Sequence, residues 1–294
     1  MILLFGKNGQ VAHELQRTLA PLGPIIIASR QGGDITADLT NPDSIRSAIQ
    51  AVKPHFIINA AAYTAVDAAE QDEQVAMQIN GEAPGIMAEL AHIHGCILLH
   101  YSTDYVFDGS ASEPYNEITP TSPLGVYGKT KRAGEQAIQQ SQAKHLILRT
   151  AWVYGSHGKN FYNTMRRLAK EREELSVVND QIGSPTWSRH IAEATAQLIA
   201  QTKRAPDYLA SHSGTYHLTN AGQCSWYDFA KVIIEAIPAE QNRCHTIKPI
   251  PSEAYPTPAK RPAYSVLDNS KLSKSFGLQL PDWRVALKQC MGLW

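Results

Sequence analysis

The chain has 294 residues, 27 basic and 27 acidic side chains and a formal net charge of zero, with 43% hydrophobic residues. That length buries one large domain or two unequal ones. No basic stripe, acidic tail or apolar run near ~18 residues is present, which argues against a nucleic-acid binder and against a membrane-spanning helix. The four cysteines, Cys96, Cys224, Cys244 and Cys290, are widely spaced and form no CxxC pair; a reduced, cytoplasmic setting suits them better than a disulfide framework or a zinc site. A strand predicted from Ile2 leaves no room for a signal peptide.

In chain order, Ile2-Leu3-Leu4-Phe5 reads as a short buried strand, and Gly6-Lys7-Asn8-Gly9-Gln10-Val11-Ala12 turns from it into a helix. The spacing is not GxGxxG, but its place between strand and helix is where backbone N–H groups face a pyrophosphate. Gly6 serves the tight turn, Gly9 the close approach of phosphates, and Ala12 the helix packing. A second strand, 25–28, runs into Ser29-Arg30. A hydroxyl and a guanidinium suit a 2′-phosphate, where an acid would grip a ribose 2′-OH instead, so the expected cofactor is NADPH, with NADH possible. Asp38-Leu39 is read as lining the adenine, or as a helix start, with Asn41 or Thr40 as the cap and Pro42 in the first turn.

A third strand is predicted over 56–62, a long helix over 72–93 closed by Gly95, a fourth strand over 96–101 and a fifth over 145–150. Continuous apolar runs alternating with helices predict a doubly wound α/β fold, a parallel Rossmann sheet with ligands at the carboxyl ends of its strands. Beyond residue 155 the pattern loosens. A helix over 161–171, a strand over 175–178, a turn-rich 179–186, a helix over 190–201 and a strand over 215–218 precede a stretch, 249–262, holding five prolines. That stretch reads as an ordered loop or edge crossing. The expected division is a cofactor-binding Rossmann domain, 1–155 plus about 187–218, and a smaller mixed substrate-binding lobe, 156–186 and 219–294.

Tyr127 and Lys131 stand four apart in a predicted helix, so they share one face. Thr103, in Tyr101-Ser102-Thr103-Asp104, comes from the end of the preceding strand. An ammonium ~6 Å from the phenol at an effective dielectric near 20 interacts by roughly 3 kcal/mol, about two pK units. Lys131 is therefore expected to lower the Tyr127 pKa and to bond the nicotinamide ribose. Tyr127 is the expected general acid, and Thr103 the group that holds and polarises a carbonyl oxygen. Trp152 offers a flat apolar face to a sugar ring. The eleven histidines show no metal-ligand spacing and are read as structural.

These residues, with Asn59-Ala60-Ala61-Ala62-Tyr63-Thr64-Ala65-Val66-Asp67, Arg149-Thr150-Ala151-Trp152, Val178-Asn179-Asp180-Gln181 and Ala259-Lys260-Arg261-Pro262, give a chain that resembles the extended short-chain dehydrogenases/reductases. Within them it is similar to reductases of nucleotide-linked 4-keto-6-deoxyhexoses, and the likeness covers nearly the whole chain. The resemblance implies NADPH-dependent reduction of the C4 keto group of dTDP-4-dehydro-L-rhamnose to dTDP-L-rhamnose. It implies cofactor contacts at Gly9, Gln10, Val11, Asp38, Leu39, Ala62, Tyr63, Thr64, Tyr101, Tyr127 and Lys131, and sugar contacts at Thr103, Asp104, Tyr127 and Trp152. Arg261 is the candidate for the substrate diphosphate.

Two departures matter. Thr103-Asp104-Tyr105 lacks the Thr-Asp-Glu acid that a dehydratase of this superfamily uses, and Ser29-Arg30 does not favour an epimerase retaining NAD. Some members resemble magnesium-bridged dimers; here Glu14 matches one acidic position and Arg189 replaces the other. The expectation is no metal site and a monomer or weak homodimer, with Arg189 pairing with Glu14 or a partner chain. Reductases of the talose or fucose series and a non-catalytic NADP-binding subunit are the competing readings. A binding subunit has no use for Tyr127, Lys131 and Thr103 together.

Overall fold

A computed structural model of the chain describes residues 1–205 and 207–293. Its centre is a seven-stranded sheet in which every neighbour pair is parallel. The strands are β1 (Ile2–Phe5), β2 (Ile25–Ser29), β3 (Ile35–Thr36), β4 (Phe56–Asn59), β5 (Ile97–Thr103), β6 (His145–Thr150) and β7 (Gly214–His217), in the order β7-β6-β5-β4-β1-β2-β3. The chain winds outward from β1 in both directions, so the crevice beyond the carboxyl ends of β1 and β4 lies at a topological switch point.

Alternation along the strands sends side chains to opposite faces, and both faces are covered. Ile2, Leu4, Ile58, Leu99 and Leu148 pack with Leu15 and Leu19 of α1 (Gln10–Leu19) and with Ile191, Leu198 and Ile199 of the helix Ser188–Arg204. Leu3, Phe5, Ile57, Leu98 and Ile147 pack on the other side with Ile45 and Ile49 of α2 (Pro42–Val52) and Met87 and Leu90 of α3 (Ala83–His94). Burying such a side chain contributes about 1.5–3 kcal/mol, which makes the sheet the rigid frame on which the loops at its carboxyl edge are hung.

The helix expected over 72–93 is interrupted. Glu73–Met77 is α-helical, Gln78–Glu82 widens into a π-turn, and α3 follows. The π-turn places Asn80 so that its side chain accepts from Tyr63 N at 2.9 Å and donates to the Tyr63 carbonyl at 3.0 Å and to Thr130 Oγ1 at 3.2 Å. The third strand stops three residues short of the expected 62, because Asn59 Oδ1 accepts the N–H of Ala61 at 3.2 Å and turns the chain. β5 runs two residues beyond the expected Tyr101 and carries Thr103 at its tip.

Beyond β6, Tyr154, Tyr162, Val177, Phe229 and Trp283 form a separate apolar cluster. The proline-rich stretch begins as an extended strand, Thr246–Ile250, parallel to Glu174–Val178. Pro249 is tolerated there because the two strands make a sheet of only two, whose outer edge needs no donor.

Candidate functional site

At the carboxyl ends of β1, β2 and β4 lies a cleft of about 660 Å³, lined by Gly6, Ser29, Arg30, Asp38, Leu39 and Ala62 among others. Gly6 has φ +110°, outside the range of other L-residues, and a Cβ there would press on the Ala60 carbonyl at 3.2 Å. Gly9 is different. Its φ is an ordinary −67°, and a Cβ would meet the protein no nearer than 3.8 Å. The space above Gly9 is thus open, as a pyrophosphate approaching the backbone requires.

α1 starts at Gly9 with no side-chain cap and no acid in its first turn, leaving its N–H groups and positive dipole end free for an anion. Arg30 is exposed at the rim and makes no ion pair among the described residues. Asp38 is not the helix cap. Its Oδ1 accepts from Thr40 N and Oγ1, while Asn41 caps α2. These residues fit a dinucleotide carrying a 2′-phosphate. Lys7 and Asn8, overlooked in the sequence, also line the cleft; they sit in the same turn, and Lys7 bonds the Gly32 carbonyl across its mouth.

Val11 packs against the sheet core, and Gln10 reaches away from the cleft, donating to Val153 O at 3.2 Å and accepting from Asn160 at 2.8 Å. The Tyr63 phenol bonds Asp72 Oδ2 at 2.6 Å, and Thr64 is exposed. The Tyr101 hydroxyl bonds Thr195 at 2.6 Å on the far face of the sheet. Tyr101 therefore faces the site through its backbone carbonyl alone.

The helix α4 (Val126–Gln140) carries Tyr127 in its first turn and Lys131 in the next. Its first N–H is taken by Glu70 Oε1 at 2.8 Å, a distant cap that local sequence does not reveal. Gly128 and Gly134 let α4 lie directly on backbone: a Cβ on either would collide with the carbonyl oxygen of Tyr105 or of Asn80. That close approach brings Tyr127 near Thr103 at the tip of β5. Thr103 Oγ1 also donates to Asp104 Oδ1 at 3.0 Å and accepts from Tyr105 N at 3.2 Å.

The electrostatics differ from the expectation. Burial pushes the Tyr127 phenol up to about 12, aided by the Asp104 charge and opposed by the Thr103 hydrogen bond. In this arrangement Lys131 is engaged with β5, donating to Tyr101 O at 2.6 Å and meeting His100 Nε2 at 3.1 Å. Burial brings Lys131 itself down to about 8, with Glu135 one turn on pulling the other way. Burial likewise raises the Asp104 carboxyl to about 6, against hydrogen bonds led by Ser265 and Thr103. Glu135 is held by Arg149 through two bonds of 2.8 Å, both residues inaccessible.

Trp152 sits beyond β6 with φ +46°, a strained backbone for a tryptophan. One face is already covered: Trp226 stacks on it at 3.4 Å and 4°. Arg261 is drawn toward the same end of the sheet by Asp67, at 2.9 Å, and bonds Thr257 and the Ala259 carbonyl. This pairing keeps the guanidinium charged and fixes the proline-rich loop to the segment after β4. The sequence offered no signal for Asp67 or Trp226, whose roles come from chain-distant packing. Glu14 lies on α1 and is bonded by Arg17 at 3.3 Å and by Arg189 at 3.2 Å. Among the described residues no His, Cys, Asp and Glu group has the arrangement of a metal site.

Residues 1–293 match the family model described as the RmlD substrate binding domain. The chain is 48% identical over 294 residues to a dTDP-4-dehydrorhamnose reductase of Burkholderia thailandensis, covering 99% of this chain and 97% of the relative. It is 46% identical over 295 residues to the enzyme of the same name from Escherichia coli, covering 99% and 96%. A crystal structure of dTDP-4-dehydrorhamnose reductase from Bacillus anthracis in complex with NADP superposes with a TM-score of 0.89 at 37% identity, covering 99% of this chain and 98% of that one.

Proposed function

The chain belongs to the RmlD family of dTDP-4-dehydrorhamnose reductases, and from that premise we propose how its own residues perform the reaction. It is an NADPH-dependent oxidoreductase that reduces the C4 keto group of dTDP-4-dehydro-L-rhamnose (dTDP-6-deoxy-L-lyxo-4-hexulose), giving dTDP-L-rhamnose, the last step of dTDP-L-rhamnose synthesis. The observation that carries this reading is the placing of Thr103, at the tip of β5, near Tyr127, one turn from Lys131 on α4.

NADPH supplies the hydride when bound. Gly6, Gly9 and the N-terminus of α1 take its pyrophosphate, Ser29 and Arg30 its 2′-phosphate, and Asp38, Leu39 and Ala62 the adenosine side of the cleft. The remaining work falls to the chain. Thr103 holds the C4 oxygen of the sugar, and Tyr127 gives its proton to that oxygen as negative charge develops there. A phenol held near 12 is fully protonated at neutral pH, so the acid is loaded before the substrate arrives. Lys131, as the ammonium, stabilises the phenolate left behind. Asp104 and Trp152 orient the sugar. Arg261 takes the diphosphate by exchanging its single bond to Asp67 for phosphate oxygens, which a guanidinium can bond in a fork.

The residues divide as a cofactor-binding domain, 1–155 with about 187–218, and a substrate lobe, 156–186 with 219–294. An apolar cluster that gathers Tyr162, Met165, Val177, Phe229 and Trp283 supports the lobe. The chain acts in the cytoplasm as a monomer or weak homodimer; no described helix is long and apolar enough to cross a membrane. Glu14, neutralised by two arginines, is poorly suited to a bridging magnesium ion.

Incubation with NADPH and the 4-keto nucleotide sugar, followed by NMR of the product, tests the assignment. A rhamnose-series product is expected; a talose- or fucose-series product would replace the sugar assignment, and no consumption of NADPH would remove the reductase reading. Arg30→Ala is expected to raise the KM for NADPH by about 10–100-fold, the worth of a charge-assisted hydrogen bond, and to leave NADH nearly unchanged. Equal effects on both cofactors would take the 2′-phosphate away from Arg30.

A further inference from the structure

A hydrogen-bond chain behind Lys131 fixes which atom carries each proton. Ala61 N donates to Asn59 Oδ1 at 3.2 Å, so the Asn59 amide has one allowed orientation, with Nδ2 toward His100. Nδ2 donates to His100 Nδ1 at 3.1 Å. An imidazole whose Nδ1 accepts carries its proton on Nε2. That N–H lies 3.1 Å from Lys131 Nζ, which in turn donates to Tyr101 O at 2.6 Å. A primary ammonium has no lone pair to accept an N–H; a neutral amine has one lone pair and two protons, matching these contacts. Asn59, His100 and Lys131 are all at most 2% exposed, so no water shields a mismatch.

We propose that His100 is a positioning residue: through its Nε2–H, set by Asn59, it docks Lys131 on β5 as the neutral amine, and the lysine takes up a proton and leaves this dock to serve Tyr127. The inference rests on the proposed reductase reading for its kinetic consequence, though not for its proton assignment. The proton gained by Nζ comes from solvent when the cleft is open, and no bond other than N–H forms or breaks. The charged and titratable groups around Nζ are His100 on β5, Tyr127 and Glu135 on α4, with Arg149 of β6 and Arg132 of α4 bound to Glu135. Burial brings Lys131 down to about 8, toward the amine, and holds His100 well below its usual range, where a charged Lys131 would also push it.

Working activity then falls as pH rises through the Lys131 pKa, since the ammonium form is lost. His100→Gln places a carbonyl oxygen within reach of Nζ and accepts from an ammonium. Asn59→Asp accepts from Nδ1–H and moves the imidazole lone pair to Nε2, with the same result by a different route. Both variants are expected to shift the alkaline limb of kcat upward by about one pH unit, which is about tenfold more activity on that limb relative to each variant's plateau. Nitrogen-15 NMR of the unaltered protein is expected to show the His100 proton on Nε2. A proton on Nδ1, or an alkaline limb unmoved in both variants, overturns the proposal. If the protein reduces no sugar nucleotide, the NMR result still decides the proton assignment by itself.

Discussion

Tyr127→Phe is expected to lower kcat by about 10²–10⁴-fold, the usual worth of a positioned general acid. The ring is kept, and with it the edge contact to Tyr105 at a centroid distance of 5.5 Å, so thermal stability should hold. NADPH affinity should change by no more than about threefold, because only one hydrogen-bonding atom is lost. Fluorescence titration with NADPH and single-turnover kinetics measure the two quantities separately. Turnover above a tenth of the original would mean that another group supplies the proton, and buried Asp104, held to about 6 and bonded to Thr103, would be the first to examine.

The second large effect is on stability. Arg149→Met should cost about 3–5 kcal/mol, because it leaves the buried Glu135 carboxylate with only the longer Arg132 contact, at 3.4 Å. Both partners of this pair are buried and bonded twice, and Arg149 also lies over the Phe107 ring at 5.1 Å. Adding Glu135→Leu should recover most of the loss, since the cost lies in the unpaired charge and not in the missing attraction. Urea unfolding of the three proteins decides it. A single-variant loss below about 1 kcal/mol would mean that Arg132, at 3.4 Å, suffices to hold the Glu135 charge. Because Glu135 lies one turn from Lys131 and raises its pKa, any folded Arg149→Met should also hold more of the lysine as ammonium.

Much of the fold was legible because its signals are local. Apolar runs such as Ile2–Phe5 and Ile97–Thr103, separated by helical stretches, have no stable arrangement other than a covered parallel sheet. The glycine turn was legible for the same reason: Gly6 needs its positive φ whatever surrounds it. Boundaries failed where a side chain from elsewhere intervened. Asn59 ended β4 early through a bond to Ala61, and the helix expected over 72–93 opened at Gln78–Glu82 so that Asn80 could serve Tyr63 and Thr130.

The sequence by itself determined the architecture, the dinucleotide turn and the shared face of Tyr127 and Lys131, because each depends on residues within a few positions of one another. The tertiary structure alone decided which way Lys131 points and what charge its surroundings favour. The contacts that decide this come from β4 and β5, 30 to 41 residues apart in sequence, and desolvation depends on everything that excludes water at once. A four-residue spacing puts an ammonium near a phenol; the sheet beneath decides whether it stays there.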